Sequence, residues 1–558
     1  MDTQRLILFI IFSFSVLMLW EAWQRDHQPP PKPAEQVAAP AGKASPPPGV
    51  PTPSIPAAGS AGAPASGQVA VPNLPGAEHP QQDLISVRTD FLNVEVSPLG
   101  GDIVRLELLK HKDRTEQDKN FVLLSPKFHS ALQSGLIGTD LPNHKTQFVP
   151  TAKEYELKPG QDALEVRLEA TNAEGVRVVK IYTFKRSSYL IDVTQEIENG
   201  RSEPINAHAY FQVTRDNSPS PGDTFMLRTF HGPAVYTEQN KYVKVSFEDI
   251  EKGKTSYTPN ADNGWIAMVQ HYFVVALVAP GNVQREFFTR KVSEGLFSAG
   301  VILPVPAVAP GQSGKVVMHV YAGPQDLNHL EQVAPGLELV VDFGWLTVLA
   351  APIFWLLNWI HGLVKNWGVA IILLTMLIKL VFYPLSAASY KSMARMKKVT
   401  PRLTKLREQY GNDRAKMNQA MMELYREEKI NPLGGCLPIV VQIPVFIALY
   451  WVLLGSVELR QAPFFGWITD LSSPDPWYIL PVLMMASMVF QTRLNPTPPD
   501  PVQAKVMMIM PYAFGVMFFF FPAGLVLYWL VNNILSIAQQ WHITRMMAIA
   551  DGKKAKPA

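Results

Sequence analysis

The sequence holds a single cysteine, Cys436, among 558 residues, so no internal disulfide can form and every folded part must be held by its own core. Charge is also scarce: Asp, Glu, Lys and Arg make up 17% of the chain against 47% hydrophobic residues, too apolar for a simply soluble protein. HExxH, paired CxxC and GxxxxGK[ST] are missing, and the twelve histidines fall at spacings unlike those of metal ligands. No nucleotide-driven motor is legible, and no cofactor, catalytic group or metal is expected. The net charge of +3 says little, because the basic residues are clustered.

What is present divides into four parts. In residues 1–27 an apolar run from Leu6 to Trp20 follows Arg5. A signal peptide would end in small residues at a cleavage site, whereas bulky Trp20 and Trp23 stand there, which indicates an uncleaved transmembrane anchor with its tryptophans at the interface. Residues 28–82 are Pro, Ala, Gly and Ser with few bulky apolar side chains; such a stretch cannot offset its chain entropy and reads as a linker. Residues 83–336 change to short alternating runs. Leu164, Val166 and Leu168 interleave with Glu165, Arg167 and Glu169, while Ser97-Pro98-Leu99-Gly100-Gly101, Glu174-Gly175 and Asn199-Gly200 punctuate the strands. Period two with turns between predicts a β-sandwich large enough for a real core. It shows no catalytic constellation; a sugar-binding or enzymatic role for it rests on fold analogy alone.

Residues 337–558 are apolar and aromatic. Two candidate spans stand end to end, Trp345 to Val364 and Trp367 to Leu385. The segment 386–432 that follows carries eleven Lys or Arg against five acids, which marks it as cytoplasmic. With the β-unit outside, one of the two candidates crosses, and the Trp-rich 345–364 stretch, interrupted by Pro352, is expected to lie in the outer interface as an amphipathic helix. Within 386–432, Met396, Val399, Leu403, Leu406 and Tyr410, then Met417, Met421 and Leu424, recur at three-four spacing around Gly411-Asn412, predicting a helical hairpin. It is either a solvated element that fixes orientation or a docking surface that combines adaptable methionines (Met393, Met396, Met417, Met421) with cations (Lys391, Arg395, Lys397, Lys398). Spans at Leu433–Leu454, Tyr478–Phe490, Val506–Phe521 and Leu525–Met546 follow. With the anchor and Trp367–Leu385 they make six, leaving both termini inside; several are short enough to thin a bilayer. The fold class is thus a polytopic α-helical membrane protein of six transmembrane helices with a large external β-sandwich.

One charge sits within the apolar run Trp367–Leu385: Lys379. A lysine at mid-helix is roughly 2.5 to 3.5 kcal/mol uphill, so it either snorkels or faces a hydrated interior. The roughly 10 Å of helix to Ser386 exceeds the reach of its stem, favouring the interior. Thr375 lies four residues earlier on the same face, Gln442 lies in the next span, and Asn532, Ser536, Gln539 and Gln540 recur at three-four spacing on the last. Singly these read as packing glue; together they predict a shared wet groove. No Asp or Glu lies within these spans to pair with Lys379, which argues against a proton relay.

The runs NPLGGCLPIVVQIPVFIALYWVLLGSVELRQAPF (Asn431 to Phe464) and FPAGLVLYWLVNN (Phe521 to Asn533), with the opening anchor, linker and β-unit, resemble the YidC-type membrane protein insertases of Gram-negative inner membranes. The resemblance implies a periplasmic β-domain and a five-helix core around a hydrophilic groove open to cytoplasm and lipid. It also implies insertion and folding of nascent membrane proteins without nucleotide hydrolysis, alone or with the Sec translocon. The partners it implies are nascent chains, the ribosome, the Sec translocon, the signal recognition particle and its receptor, and membrane lipids. The groove cation falls on Lys379, where arginine is the commoner residue; lysine keeps the charge and loses the planar fork. Thr375 matches the groove threonine, Ile443 and Phe446 the substrate-touching face, Tyr528-Trp529 the aromatic contact pair, and the hairpin the cytoplasmic docking element. The rival reading is a small-solute or ion transporter with its polar spans lining a through-path.

Overall fold

A computed structural model describes residues 83–554, except 115, 117, 220–228, 255, 411–412, 429–436 and 495–500. The expected anchor (1–27), the linker (28–82), the Gly411-Asn412 turn and Cys436 lie outside the described residues. The chain forms two compact units that meet in sequence at Val341 and Asp342.

The first unit is a sandwich of a ten-stranded and a nine-stranded sheet, almost wholly antiparallel; the pair Ser86–Arg88 with Glu154–Glu156 is parallel. Where one face meets water, the alternation seen in the sequence is realised. In Ala163–Thr171 Val166, Leu168 and Ala170 are buried while Glu165 and Arg167 point out. Leu190–Asn199 does the same with Ile191, Val193 and Ile197. The expected turns are present: Gly100 and Gly101 at positive φ link Leu92–Ser97 to Asp102–Lys112, and Gly175 links Ala163–Thr171 to Val176–Lys185. The apolar run from Trp265 to Val278 forms a hairpin, Trp265–Gln270 and Phe273–Val278, turning at His271-Tyr272. Two short helices, α1 (Phe247–Glu251) and α2 (Leu327–Val333), complete this unit.

One charge is embedded in the sandwich. Lys180 is fully buried, donates to the carbonyls of Gly100 (2.5 Å) and Ser134 (2.6 Å), and stands 3.9 Å from Asp102. Burial opposes both charges, pushing the Asp102 carboxyl up and the Lys180 amine down. The left-handed Gly100-Gly101 turn presents its carbonyls to the interior, the second of them to the Tyr182 hydroxyl.

The second unit is helical: α3 (Thr347–Val364), α4 (Trp367–Val381), α5 (Tyr383–Tyr410), α6 (Arg414–Glu427), α7 (Leu437–Gly455), α8 (Ile479–Leu494), α9 (Pro501–Met517) and α10 (Ala523–Lys554). Helix α3 buries Ala350, Phe354, Leu357 and Ile360, but its other face shows Val348, Trp355, Trp359 and Leu363. Its polar residues are Thr347, Asn358 and His361. By length and composition it is the one unbroken described helix that could cross a membrane.

The expected span from Trp367 to Leu385 is broken. Helix α4 ends at Val381 with Phe382 as its cap, and the next helix leaves at 67°. Pro384 explains the bend: it lacks an N–H and disfavours helical geometry at the residue before it. The first hairpin arm therefore begins at Tyr383, three residues before the expected boundary. Its seam is close to that predicted. Val399, Leu403 and Leu424 are buried together against Met396, Leu406, Met421 and Tyr425, whereas Met417 is only half-buried and lies outside this cluster. Arg402 on one arm pairs with Glu428 beyond the other at 2.7 Å. Lys391, Arg395, Lys397 and Lys398 are exposed on the first arm.

Candidate groove in the helical unit

Asn366 caps α4 by accepting the Val369 N–H, and its amide reaches across to the Phe464 carbonyl. This end of α4 is pressed close to the loop: a Cβ on Gly368 would lie 2.0 Å from the Phe464 ring. Three turns further along, α4 faces α10. Lys379, 5% exposed, donates from Nζ to Ser536 Oγ at 2.7 Å. Ser536 passes its own proton to the Asn532 carbonyl, also at 2.7 Å, and Tyr390 adds a hydroxyl contact to Ser536. Among the described residues no carboxylate pairs with this amine. The hydroxyl satisfies one donor and leaves the net charge unneutralised. Thr375, expected beside it, is buried on the same face, but its hydroxyl returns to the Ile371 carbonyl (2.6 Å) rather than to Lys379.

One turn earlier on α10, Asn532 accepts from Gln442 of α7 at 2.9 Å, which joins a third helix to the polar seam. Asn533 donates to Ser487 of α8 at 2.7 Å, a contact not anticipated from sequence, since Ser487 was one hydroxyl in a short apolar run. Lys379, Ser536, Asn532 and Gln442 are thus brought together, with Thr375 lying behind them.

Toward the other end of α10 the seam gives way to rings. Phe446 of α7 stacks on Trp529 with centroids 5.0 Å apart and planes 5° apart, and Tyr528 lies 6.0 Å from it. Phe518 and Phe521 close on Trp529 edge-on, at 4.4 and 5.5 Å. The expected contact pair Tyr528-Trp529 is therefore buried, whereas Ile443 is 47% exposed and Phe446 half-buried. Of the expected touching face, Ile443 and the rim of Phe446 are the parts a passing chain could reach.

The closed end is fixed by the loop between α7 and α8. The carboxylate of Asp475 is buried and accepts from Trp467 Nε1 (2.9 Å), Trp477 N (3.0 Å) and Leu480 N (2.7 Å). Asp470 gathers Gln461 N, Ser472 and Ser473. The carbonyls of Ser473 and Leu471 then take the first free amides of α10, Ala523 N at 2.7 Å and Gly524 N at 2.9 Å. Asp470 and Asp475 are thus structural caps of the loop and of the helix starts beside it.

A sandwich followed by an apolar helical unit with one hydroxyl-bound lysine is matched by two family models. Residues 84–356 match the YidC periplasmic domain and residues 359–551 the 60Kd inner membrane protein, which defines the class: a bacterial inner-membrane protein with a periplasmic domain. Membrane protein insertase YidC of Aromatoleum aromaticum is 57% identical over the full length of both chains, and that of Dechloromonas aromatica is 56% identical, again over both in full. A crystal structure of an active YidC insertase with its first transmembrane domain resolved shares 21% identity, covers 82% of this chain and 92% of its own, and superposes with a TM-score of 0.38. The chain belongs to the YidC membrane protein insertase family. This kinship gives the solute-transporter reading no support.

Proposed function

We propose that this chain inserts nascent inner-membrane proteins into the bilayer and helps them fold, alone or beside the Sec translocon, through the groove between α4, α7 and α10. The observation that carries the proposal is the Lys379 amine, buried among apolar helices and held by Ser536 without a carboxylate. A polar or acidic tail entering from the cytoplasmic side meets an uncompensated positive charge, which shortens the apolar stretch it must cross. The substrate's own apolar helix slides past Ile443 and Phe446 into lipid, drawn by roughly 0.3 to 0.6 kcal/mol for each Leu, Ile, Phe or Val.

In this reading α3 lies in the outer interface, and six spans place both termini in the cytoplasm and the sandwich outside, with five helices forming the core. The exposed cations Lys391, Arg395, Lys397 and Lys398 and the methionines Met393, Met396, Met417 and Met421 of the hairpin receive the ribosome and, for some substrates, the signal recognition particle and its receptor. Helices α8 and α9 have 16 and 17 residues, about 25 Å each, short of the ~30 Å hydrocarbon layer, so the bilayer thins beside them. The test is photo-crosslinking from positions 375, 443, 446 and 529 to ribosome-stalled nascent chains. Adducts at 443 and 446 that move along the substrate as it lengthens are expected. Their absence, with solute flux through protein-only vesicles, would restore the transporter.

A further inference from the structure

Beyond the groove, α10 runs on past the seam, and its far part forms one wall of a cavity of about 250 Å³ shared with α5 and the end of α8. That is room for about eight waters. Met393, Ala394 and Leu494 make its apolar side; Lys397, Thr544 and Arg545 bring donors, and Arg545 lies over the Trp541 ring, 5.3 Å from its centre. Among the described residues neither Lys397 nor Arg545 is paired with a carboxylate.

The depth of the cavity is informative. Counting along α10 from Ala523, whose amide is capped by the loop, Ser536 stands at about 20 Å, Trp541 at about 27 Å and Arg545 at about 33 Å. The hydrocarbon layer is about 30 Å thick. Trp541, 56% exposed, thus falls at its edge and Arg545 at headgroup depth, and the cavity lies beside faces that expose Phe490 and Ile534. An ammonium, a guanidinium and a hydroxyl on the lining of one cavity suit a phosphodiester, and the apolar wall suits the glycerol and the first methylenes of its chains. A peptide carboxylate or RNA phosphate would use the donors but not that wall.

We propose that this cavity is a binding site for the phosphate of an anionic phospholipid, held by Lys397, Thr544 and Arg545 with Trp541 at its edge, coupling the hairpin's first arm to the inner leaflet. The proposal rests on the membrane placement above. It is tested with the full chain, incorporated into nanodiscs, released into detergent and titrated with phosphatidylglycerol or phosphatidylcholine while native mass spectrometry counts bound lipid. Phosphatidylglycerol is expected to bind selectively. At about fivefold per cation, Lys397→Gln with Arg545→Gln weakens it about twenty-five-fold. Ala394→Phe, which fills the cavity and keeps both charges, weakens it as well, whereas Lys405→Gln on the same helix leaves it unchanged. Equal binding of the two lipids, equal loss with Lys405→Gln, or displacement by inorganic phosphate or a single-stranded RNA would overturn the site. Failure of the chain to enter nanodiscs at all would instead refute the membrane placement.

Discussion

Replacing Lys379 separates what its charge does for the fold from what it does for a substrate. In the resting structure the amine has one hydroxyl acceptor on α10 at 2.7 Å. A hydrogen bond from a charged donor contributes about 1.5 to 3 kcal/mol, so Ser536→Ala, which strands the ammonium among apolar helices, should destabilise the helical unit by about that amount. Lys379→Met fills similar space and removes the charge that needs the acceptor. It should be close to neutral for stability, and adding Ser536→Ala to it should cost far less than Ser536→Ala alone. Insertion should respond in the opposite order. At about 6 Å and an effective dielectric of ~20, an acidic residue in a substrate tail gains at most about 3 kcal/mol from the amine, a factor of roughly a hundred in rate. In proteoliposomes supplied with a single-span substrate, Lys379→Met should slow insertion of an Asp-tailed version by ten- to a hundredfold. An Asn-tailed version should be nearly unaffected, and Lys379→Arg should stay within a few-fold of the parent on both. Equal rates for the Met and Arg variants on the Asp-tailed substrate would refute the idea that net charge acts here. So would equal losses on both tails.

Two further outcomes follow from groups outside the groove. The His144 ring nitrogen Nδ1 is hydrogen-bonded to the hydroxyl of fully buried Tyr210, while its backbone N–H donates to the same oxygen at 3.2 Å. Burial, with Lys145, Lys180 and Arg290 nearby, pushes His144 down to about 3. Because the folded value is depressed, the ring's contribution is complete above pH ~6.5 and is lost as acid protonates the unfolded chain first. Between pH 6.5 and 5, after discounting for partial exposure, the sandwich should lose about 1 to 2 kcal/mol. Hydrogen exchange of His208–Asp216 in the full-length protein, corrected for intrinsic rates, reads this loss. His144→Gln should flatten the pH dependence, and an unchanged slope in that variant would assign it to other groups. Separately, Asp475→Ala strands the buried Leu480 amide at the start of α8 together with two part-buried donors, Trp467 Nε1 and Trp477 N, and at about 1 to 3 kcal/mol for a buried orphan the helical unit should lose at least about 1 kcal/mol and up to about 3. A lowered Tm in detergent and a changed near-ultraviolet signal from the stacked Trp467 and Trp477 are expected; a parent-like Tm would mean that the loop is not a keystone.

The sequence is most readable where a single face meets water. Glu165 and Arg167 alternate with Val166 and Leu168 because one side of that strand is solvated. Every residue of Trp265–Gln270 is buried, and with no polar side to mark the period the hairpin at His271-Tyr272 stayed hidden. Tyr272 turns at φ 68°, a position that no glycine advertised. In the helical unit the recurrence of Asn532, Ser536 and Gln540 foretold which face of α10 is polar, but not how each group is satisfied. Thr375 illustrates the gap: correct face, yet its hydroxyl is consumed by its own helix. The bend at Phe382 was legible in Pro384 had the chemistry of the preceding residue outweighed the length of the apolar run. The capping roles of Asp470 and Asp475 were legible too, in the Asp-Leu-Ser-Ser and Asp-Pro patterns that close local turns.

Why a hydroxyl, and not a carboxylate, should hold the lysine follows from what the groove must do in the proposed mechanism. A carboxylate at 2.7 Å would satisfy the ammonium better, but it would cancel the field that a substrate tail must feel, and a fixed ion pair gives an entering acid nothing to gain. Ser536 satisfies one N–H, hands its own proton to the Asn532 carbonyl, and leaves a full positive charge. Such a charge would be a leak if solvent reached it from both sides. The stack of Phe446, Trp529, Phe518 and Phe521, followed by the loop carbonyls that cap α10, fills the other end with packed rings and satisfied amides. A cation without a counter-charge and a seal without an aqueous path therefore belong to one design. Each is costly alone, and together they let a polar tail be drawn partway into the membrane while the barrier beyond it stays dry.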